Sequence, residues 1–279
     1  MPDSSDHSPA NAIDILRPDA RSPVIVLCDH ASYALPVQYG TLGLPASELD
    51  RHIGWDIGAA GVTRALSDRL EATAVLSRWS RLLIDLNRGF DDPTLIMRLS
   101  DGAVIPGNRH LDDAERERRI ARCYRPYHGA IAGLIDARLA AGRTTPNVTA
   151  PVLLSIHSFT PVWRGSPRPW HAAVLWDKDP RLAMPLIDGL SADPTLVVGD
   201  NEPYHGKLQG DTLWQHGTRR GLAHAIVEIR QDLIATEAGQ LAWADRLGAI
   251  MARMLADTSI RPTLDRVEHW GSWTDGESG

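Results

Sequence analysis

Short apolar runs closed by turn residues recur along this chain, and they set the elements it predicts. Val24-Ile-Val-Leu-Cys28 and Val152-Leu-Leu-Ser-Ile156 have the length and continuity of strands buried on both faces. The pattern predicts strands over 23–29, 73–77, 81–86, 151–157, 172–177, 195–199 and 222–230. Elsewhere the period lengthens towards four: Ile53, Ile57, Val62, Leu66 and Leu70 give an apolar face to a helix from about Ser47 to Leu70. Further helices are predicted over 112–141, 180–190, 211–220 and 237–256. Such alternation builds a single-domain α/β three-layer sandwich, a mostly parallel central sheet flanked by helices.

The polar, Ser-, Asp- and Pro-containing residues 1–22 read as a loose N-terminal arm, 23–256 as the domain, and 257–279 as a tail. Trp270 and Trp273 in that tail argue that it docks. Residues 89–110, with Pro93, Gly102, Pro106 and Gly107, form a connection long enough to be functional.

Composition narrows the class. The 279 residues are 43% hydrophobic and 23% charged, ordinary for one large globular domain. No apolar stretch approaches the length of a bilayer span, so no membrane partner is expected. The start, Met1-Pro-Asp-Ser-Ser-Asp-His7, has neither a basic nor an apolar signal region, so a cytoplasmic location is expected. Cys28 and Cys123 cannot make a disulfide framework for this size, and Cys28 reads as a small core residue. The net charge is −6 without a basic block, which speaks against nucleic acid as a partner. Whether copies associate into a homo-oligomer is open at this level.

Candidate chemistry gathers where strands run out. His30 and His157 both follow apolar strands, and in open α/β sheets reactive groups collect at the strands' carboxyl ends. One such histidine is ordinarily just hydrogen-bonded; two at matching positions point to a metal site. Asp56, in Trp55-Asp-Ile-Gly58 within the predicted helix, is a third ligand or a solvent-facing side chain. Glu228, between Val227 and Ile229, is an ion-pair partner of Arg230 two residues on, a general base, or both. Arg88 and Arg230 lie near strand ends and suit bidentate recognition of a carboxylate, whereas Arg81 opens its predicted strand at the far end. There is no Walker loop, dinucleotide fingerprint, serine-hydrolase elbow or His-Glu-x-x-His helix.

At these residues the chain resembles the N-formylglutamate amidohydrolase family, in its branch of amidohydrolases assigned by prediction. The matching segments are Cys28-Asp-His30-Ala-Ser, Trp55-Asp56-Ile-Gly, Asp85-Leu-Asn-Arg88, Tyr124-Arg-Pro-Tyr127-His128, Ser155-Ile-His157-Ser-Phe, Asn201-Glu-Pro-Tyr204 and Val227-Glu228-Ile-Arg230-Gln-Asp. They run in order from about 23 to 256. One departure stands out: Asp29 precedes His30 where the closest branch has Glu. The resemblance implies a fold similar to zinc-dependent exopeptidases, of the phosphorylase/hydrolase-like kind. It implies one divalent metal, Zn2+ by preference, on His30, Asp56 and His157, with Glu228 as the catalytic carboxylate. The substrate is then a small N-acyl amino acid, N-formylglutamate first, with Arg88, Arg230 and Tyr204 binding it. The alternatives are a zinc-dependent N-acyl-amino-acid hydrolase or peptidase of other specificity, and a non-catalytic metal- or carboxylate-binding protein.

Overall fold

A computed structural model describes residues 12–144 and 149–276. In chain order its elements begin with β1 (Ile13–Leu16), β2 (Val24–Cys28), α1 (Ala46–Leu49), α2 (Ala59–Arg69) and β3 (Thr73–Ser77). A hairpin, β4 (Leu99–Ser100) and β5 (Ala103–Val104), precedes α3 (Asp113–Arg119), which passes through a π turn (Ile120–Tyr124) into α4 (Arg125–Thr144). Then come β6 (Val152–Phe159), the hairpin β7 (Val162–Trp163) and β8 (Ser166–Pro167), β9 (Ala172–Leu175), α5 (Pro180–Ser191) and β10 (Val198–Asp200). The chain closes with α6 (Thr212–His216), β11 (His224–Arg230), α7 (Glu237–Ala256) and α8 (Arg261–Leu264).

The central sheet has seven strands in the order β1-β3-β2-β6-β11-β9-β10. β3, β2, β6 and β11 run parallel, as do β9 and β10; only the β1–β3 and β11–β9 pairings are antiparallel. One face packs on α2, α5 and α7 through Leu66, Leu186, Leu247 and Met251. The other is covered by α4 and loop residues, among them Tyr127, Ile131, Leu82 and Ile105. These are the three layers the sequence predicts, and Val24–Cys28 and Val152–Phe159 are buried throughout because both sheet faces are covered.

Four local expectations are corrected. The arm over 1–22 is not loose from residue 12 onward, because β1 pairs antiparallel with β3; residues 1–11 lie outside the described residues. The helix over 47–70 is broken into α1 and α2 by turns at 50–58. Gly58 adopts a left-handed φ of +82°, and a Cβ there would meet the Ile234 carbonyl oxygen at 2.2 Å, so the chain bends at that point. Asp56 therefore sits in a turn and not on a helix, its amide held 2.9 Å from the His30 carbonyl. Arg81–Leu86 forms turns and not a strand, since both edges of β3 are already taken by β1 and β2. Its apolar run reports burial alone: Leu82 and Leu83 are fully buried, and their carbonyls accept from Asn108 Nδ2 at 2.8 Å and Arg119 Nη1 at 2.9 Å.

Candidate metal centre

Three adjacent parallel strands aim the site. His30 lies two residues beyond β2, His157 near the end of β6, and Glu228 directly opposite His157 in the β6–β11 register. On β11, Glu228 alternates with Val227 and Ile229, which pack on the opposite face; Ile226 and Glu228 both line the same cavity. The sharp turn at 50–58 brings Asp56 between the two imidazoles.

His30 Nδ1 is 3.2 Å and His157 Nδ1 2.8 Å from one oxygen, Asp56 Oδ2. One donor atom from each residue lies within 4.8 Å of the other two, and all three residues are buried. The far ring nitrogens are anchored as well: His30 Nε2 is 2.7 Å from Asp85 Oδ1, and His157 Nε2 is 3.0 Å from Asp29 Oδ2 and 3.1 Å from Ser155 Oγ. Asp29 is itself held by the Thr212 hydroxyl, which donates to Oδ1 at 2.6 Å. Two imidazoles converging on one carboxylate oxygen, each backed by another carboxylate, fit a divalent cation. His30, Asp56 and His157 can hold such an ion.

Without an ion, Asp29, Asp56 and Asp85 make the site electronegative, and a bound metal would take the place of an imidazole proton. Burial works against charge on both imidazoles, and Arg81 works further against His30. Asp85 and Asp56 nevertheless raise His30, and Asp29 and Asp56 hold His157 well above the ordinary value. Burial likewise opposes ionisation of Asp56 and Asp29, yet the facing histidines pull both carboxyls far below the usual range. Glu228 differs. Burial pushes its carboxyl up to about 7, and its Oε2 is buried without a hydrogen-bond partner among the described residues. Such an atom is costly to keep and suits a group that exchanges protons near neutrality.

A cavity of about 270 Å³ opens over these groups, lined also by Arg81, Asn87, Arg88, Tyr204 and Asp211. Arg88 lines the cavity from a turn and not from a strand end. The turns over 81–88 bring Arg81 as well to the cavity, with its Nη2 3.0 Å from Asp85 Oδ2 and its Nε without a partner among the described residues. Tyr204 stands at the mouth beneath the Arg168 guanidinium, 5.0 Å from its ring centroid. Arg230 is corrected: it does not line the cavity, and its Nε donates to Asp232 Oδ1 at 2.7 Å while Nη1 reaches the Arg168 and Trp170 carbonyls. Glu228 therefore has no ion pair with Arg230.

Asp85 and Asn87 were not singled out as site residues by sequence patterning, although both fall in a segment shared with the family, and Asp29 stood out only as a departure from the family's Glu beside His30. Asp29 orients His157 across the β2–β6 pair rather than its neighbour His30. No periodicity could have disclosed that.

The family model for N-formylglutamate amidohydrolase matches residues 22–235. Among solved structures, a gene product of Agrobacterium tumefaciens is 39% identical, with 89% of this chain and 96% of that one covered and a TM-score of 0.83. An N-formylglutamate amidohydrolase from Ralstonia eutropha JMP134 shares the fold at 21% identity, with 90% and 99% covered and a TM-score of 0.65. No curated protein matches the chain.

Proposed function

The chain belongs to the N-formylglutamate amidohydrolase family, a family of amide-bond hydrolases, and from that premise we propose that it hydrolyses a small N-acyl amino acid, N-formylglutamate first, with one divalent metal ion, Zn2+ by preference. One observation carries the reading: the unpartnered Glu228 oxygen shares a small cavity with the His30, Asp56 and His157 group. A bound ion supplies Lewis acidity, making water easier to deprotonate and the acyl oxygen easier to polarise.

The chain's own residues do the rest. Glu228 takes a proton from the attacking water, whose oxygen bonds to the acyl carbon, and returns it to the amide nitrogen as the C–N bond breaks. Formate and the free amino acid are the products. Arg81, a fixed cation at the cavity wall, faces charge that develops on the acyl oxygen. Asn87 and Arg88 take a substrate carboxylate, and holding it fixes the acyl carbon relative to Glu228. A volume of about 270 Å³ suits one amino acid with a short acyl group better than a peptide.

A second reading, a hydrolase of larger N-acyl groups, draws on Trp163 and Tyr204, aromatic rings that line the mouth. The test is formate release from a panel of N-formyl amino acids by zinc-loaded protein, beside acetate release from their N-acetyl counterparts. Turnover of N-formylglutamate above the rest supports the first reading. Preference for bulky acyl groups moves it to the second, and no hydrolysis with metal bound removes both.

A further inference from the structure

The loop that carries Asp85, Asn87 and Arg88 belongs to no strand or helix, yet it must hold one side chain against His30 and two at the cavity. Three of its backbone carbonyls are held from the continuous run of α3, the π turn and α4. Arg119 Nη1 donates to the Leu83 carbonyl at 2.9 Å, His128 Nε2 to the Leu86 carbonyl at 3.0 Å, and the Tyr124 hydroxyl to the Arg88 carbonyl at 2.7 Å.

In a regular α-helix, residues five apart point about 140° away from each other, so Arg119 and Tyr124 could not serve the same loop. Between them lies the π turn, Ile120–Tyr124, whose i→i+5 bonding brings residues five apart onto one face, as i→i+4 bonding does for residues four apart. Tyr124 and His128, four apart, then continue the same face. The extra residue thus aligns three donors with three carbonyls.

Each donor is itself fixed. The Tyr124 oxygen accepts from Gln215 Nε2 at 2.7 Å, which leaves its hydrogen for Arg88. His128 Nδ1 lies 2.9 Å from His216 Nε2, and burial lowers both histidines, His128 to about 4 and His216 to about 3. Both rings are therefore neutral, and one arrangement satisfies them: His216 donates to His128, and His128 donates to Leu86. Thr212 completes the grip, its amide 3.1 Å from Asn87 Oδ1 and its hydroxyl 3.2 Å from the Leu86 carbonyl.

We propose that the π turn is a positioning device for the substrate-binding loop, with Tyr124 and His128 acting through the backbone of residues 86–88 on Asn87 and Arg88. The segment Tyr124-Arg-Pro-Tyr127-His128 thereby acquires a role. The part of this inference that concerns substrate rests on the functional reading above; the part that concerns the loop does not.

Tyr124→Phe removes one hydroxyl and keeps the ring. Backbone hydrogen exchange on the intact protein should show the amides of Asp85 and Asn87, bonded to the Leu95 carbonyl and Asp85 Oδ1, exchanging roughly tenfold faster or more, with β2, β6 and β11 unchanged. His128→Ala should do the same and His128→Gln, which retains an N–H donor, should restore most of the protection. Unchanged exchange in the loop, or loss spread evenly over the sheet, overturns the proposal. The second measurement is the ratio of kcat/KM for an N-formyl dicarboxylic amino acid to that for its uncharged amide. Tyr124→Phe and Arg88→Lys should each lower this ratio about tenfold, and the double variant no further. Multiplying losses mean that Tyr124 does not act through Arg88. Should the wild-type protein hydrolyse neither compound, the functional reading fails while the exchange experiment still judges the clamp.

Discussion

Glu228 and His157 face each other across two parallel strands, but they meet opposite electrostatic fates. In the metal-free protein two carboxylates raise His157 well above its ordinary value, whereas Glu228 has a buried oxygen with no partner among the described residues and burial pushes it up to about 7. Glu228→Gln preserves shape while removing the proton acceptor. Turnover should fall by roughly a hundredfold or more, with metal content unchanged by metal analysis; full activity would make Glu228 structural. Asp29 works one step further back, through His157 Nε2. Asp29→Asn should weaken binding of the proposed metal ion by about 10- to 100-fold, read by competition with a chelator, while the Thr212 contact keeps the side chain seated. Unaltered affinity would separate Asp29 from the metal centre.

At the scale of elements, short caps and turns decide what long periodic segments do not. Asp211 caps α6, its Oδ1 accepting from the Trp214 amide, and it lines the cavity while buried. Burial pushes its carboxyl up to about 7. A carboxyl whose pKa is raised by folding binds its proton more tightly when folded, so the native state loses relative stability as pH rises from about 4 to 7. Asn caps a helix about as well as Asp and does not ionise. Asp211→Asn should therefore match wild type below about pH 4 and exceed it by roughly 2–4 kcal/mol above pH 8, measured by urea unfolding of the metal-free protein. A gain that does not change with pH would assign the effect to packing instead. The π turn belongs to this scale too: one extra residue changes which side chains share a helix face, and no apolar periodicity marks it.

Across the whole molecule, the tail reaches back towards the cavity. The Trp273 ring lies 5.6 Å from Trp176 and 5.3 Å from His205, and its amide donates to Asp177 Oδ1 at 2.9 Å, although its outer face, like Trp270, remains exposed. Docking of the tail thus agrees with the sequence for Trp273. His205 belongs to the loop with Tyr204 and Leu208 that lines the cavity, and Asn201 ties that loop to Trp176, accepting at 3.0 Å from the Trp176 and Gly206 amides. Trp273→Ala should raise KM several-fold with little change in kcat and lower stability by about 1–2 kcal/mol. Steady-state kinetics beside thermal unfolding checks this, and a stability loss with KM unmoved would confine the tail to packing.

What the sequence by itself determined were the features governed by local chemistry: the doubly covered strands at Val24–Cys28 and Val152–Phe159, the long helix Glu237–Ala256, and the placement of His30, His157 and Glu228 at or near strand ends. Apolar continuity and period report burial, and a polar residue interrupting them is conspicuous. The tertiary structure alone decided which polar groups meet. Asp56 reaches the histidines from a turn that forms because its amide finds the His30 carbonyl and because Gly58 passes close to Ile234. Arg81–Leu86 is buried without being a strand, since the neighbouring sheet edges are occupied and its carbonyls go to side chains of distant residues. Arg230, at a promising strand end, is taken by Asp232, and Arg81, set aside on the premise of a straight strand, comes to the cavity. Burial is written locally in a chain, whereas the partner that satisfies a buried charge or carbonyl is supplied by whatever the fold brings within about 3 Å.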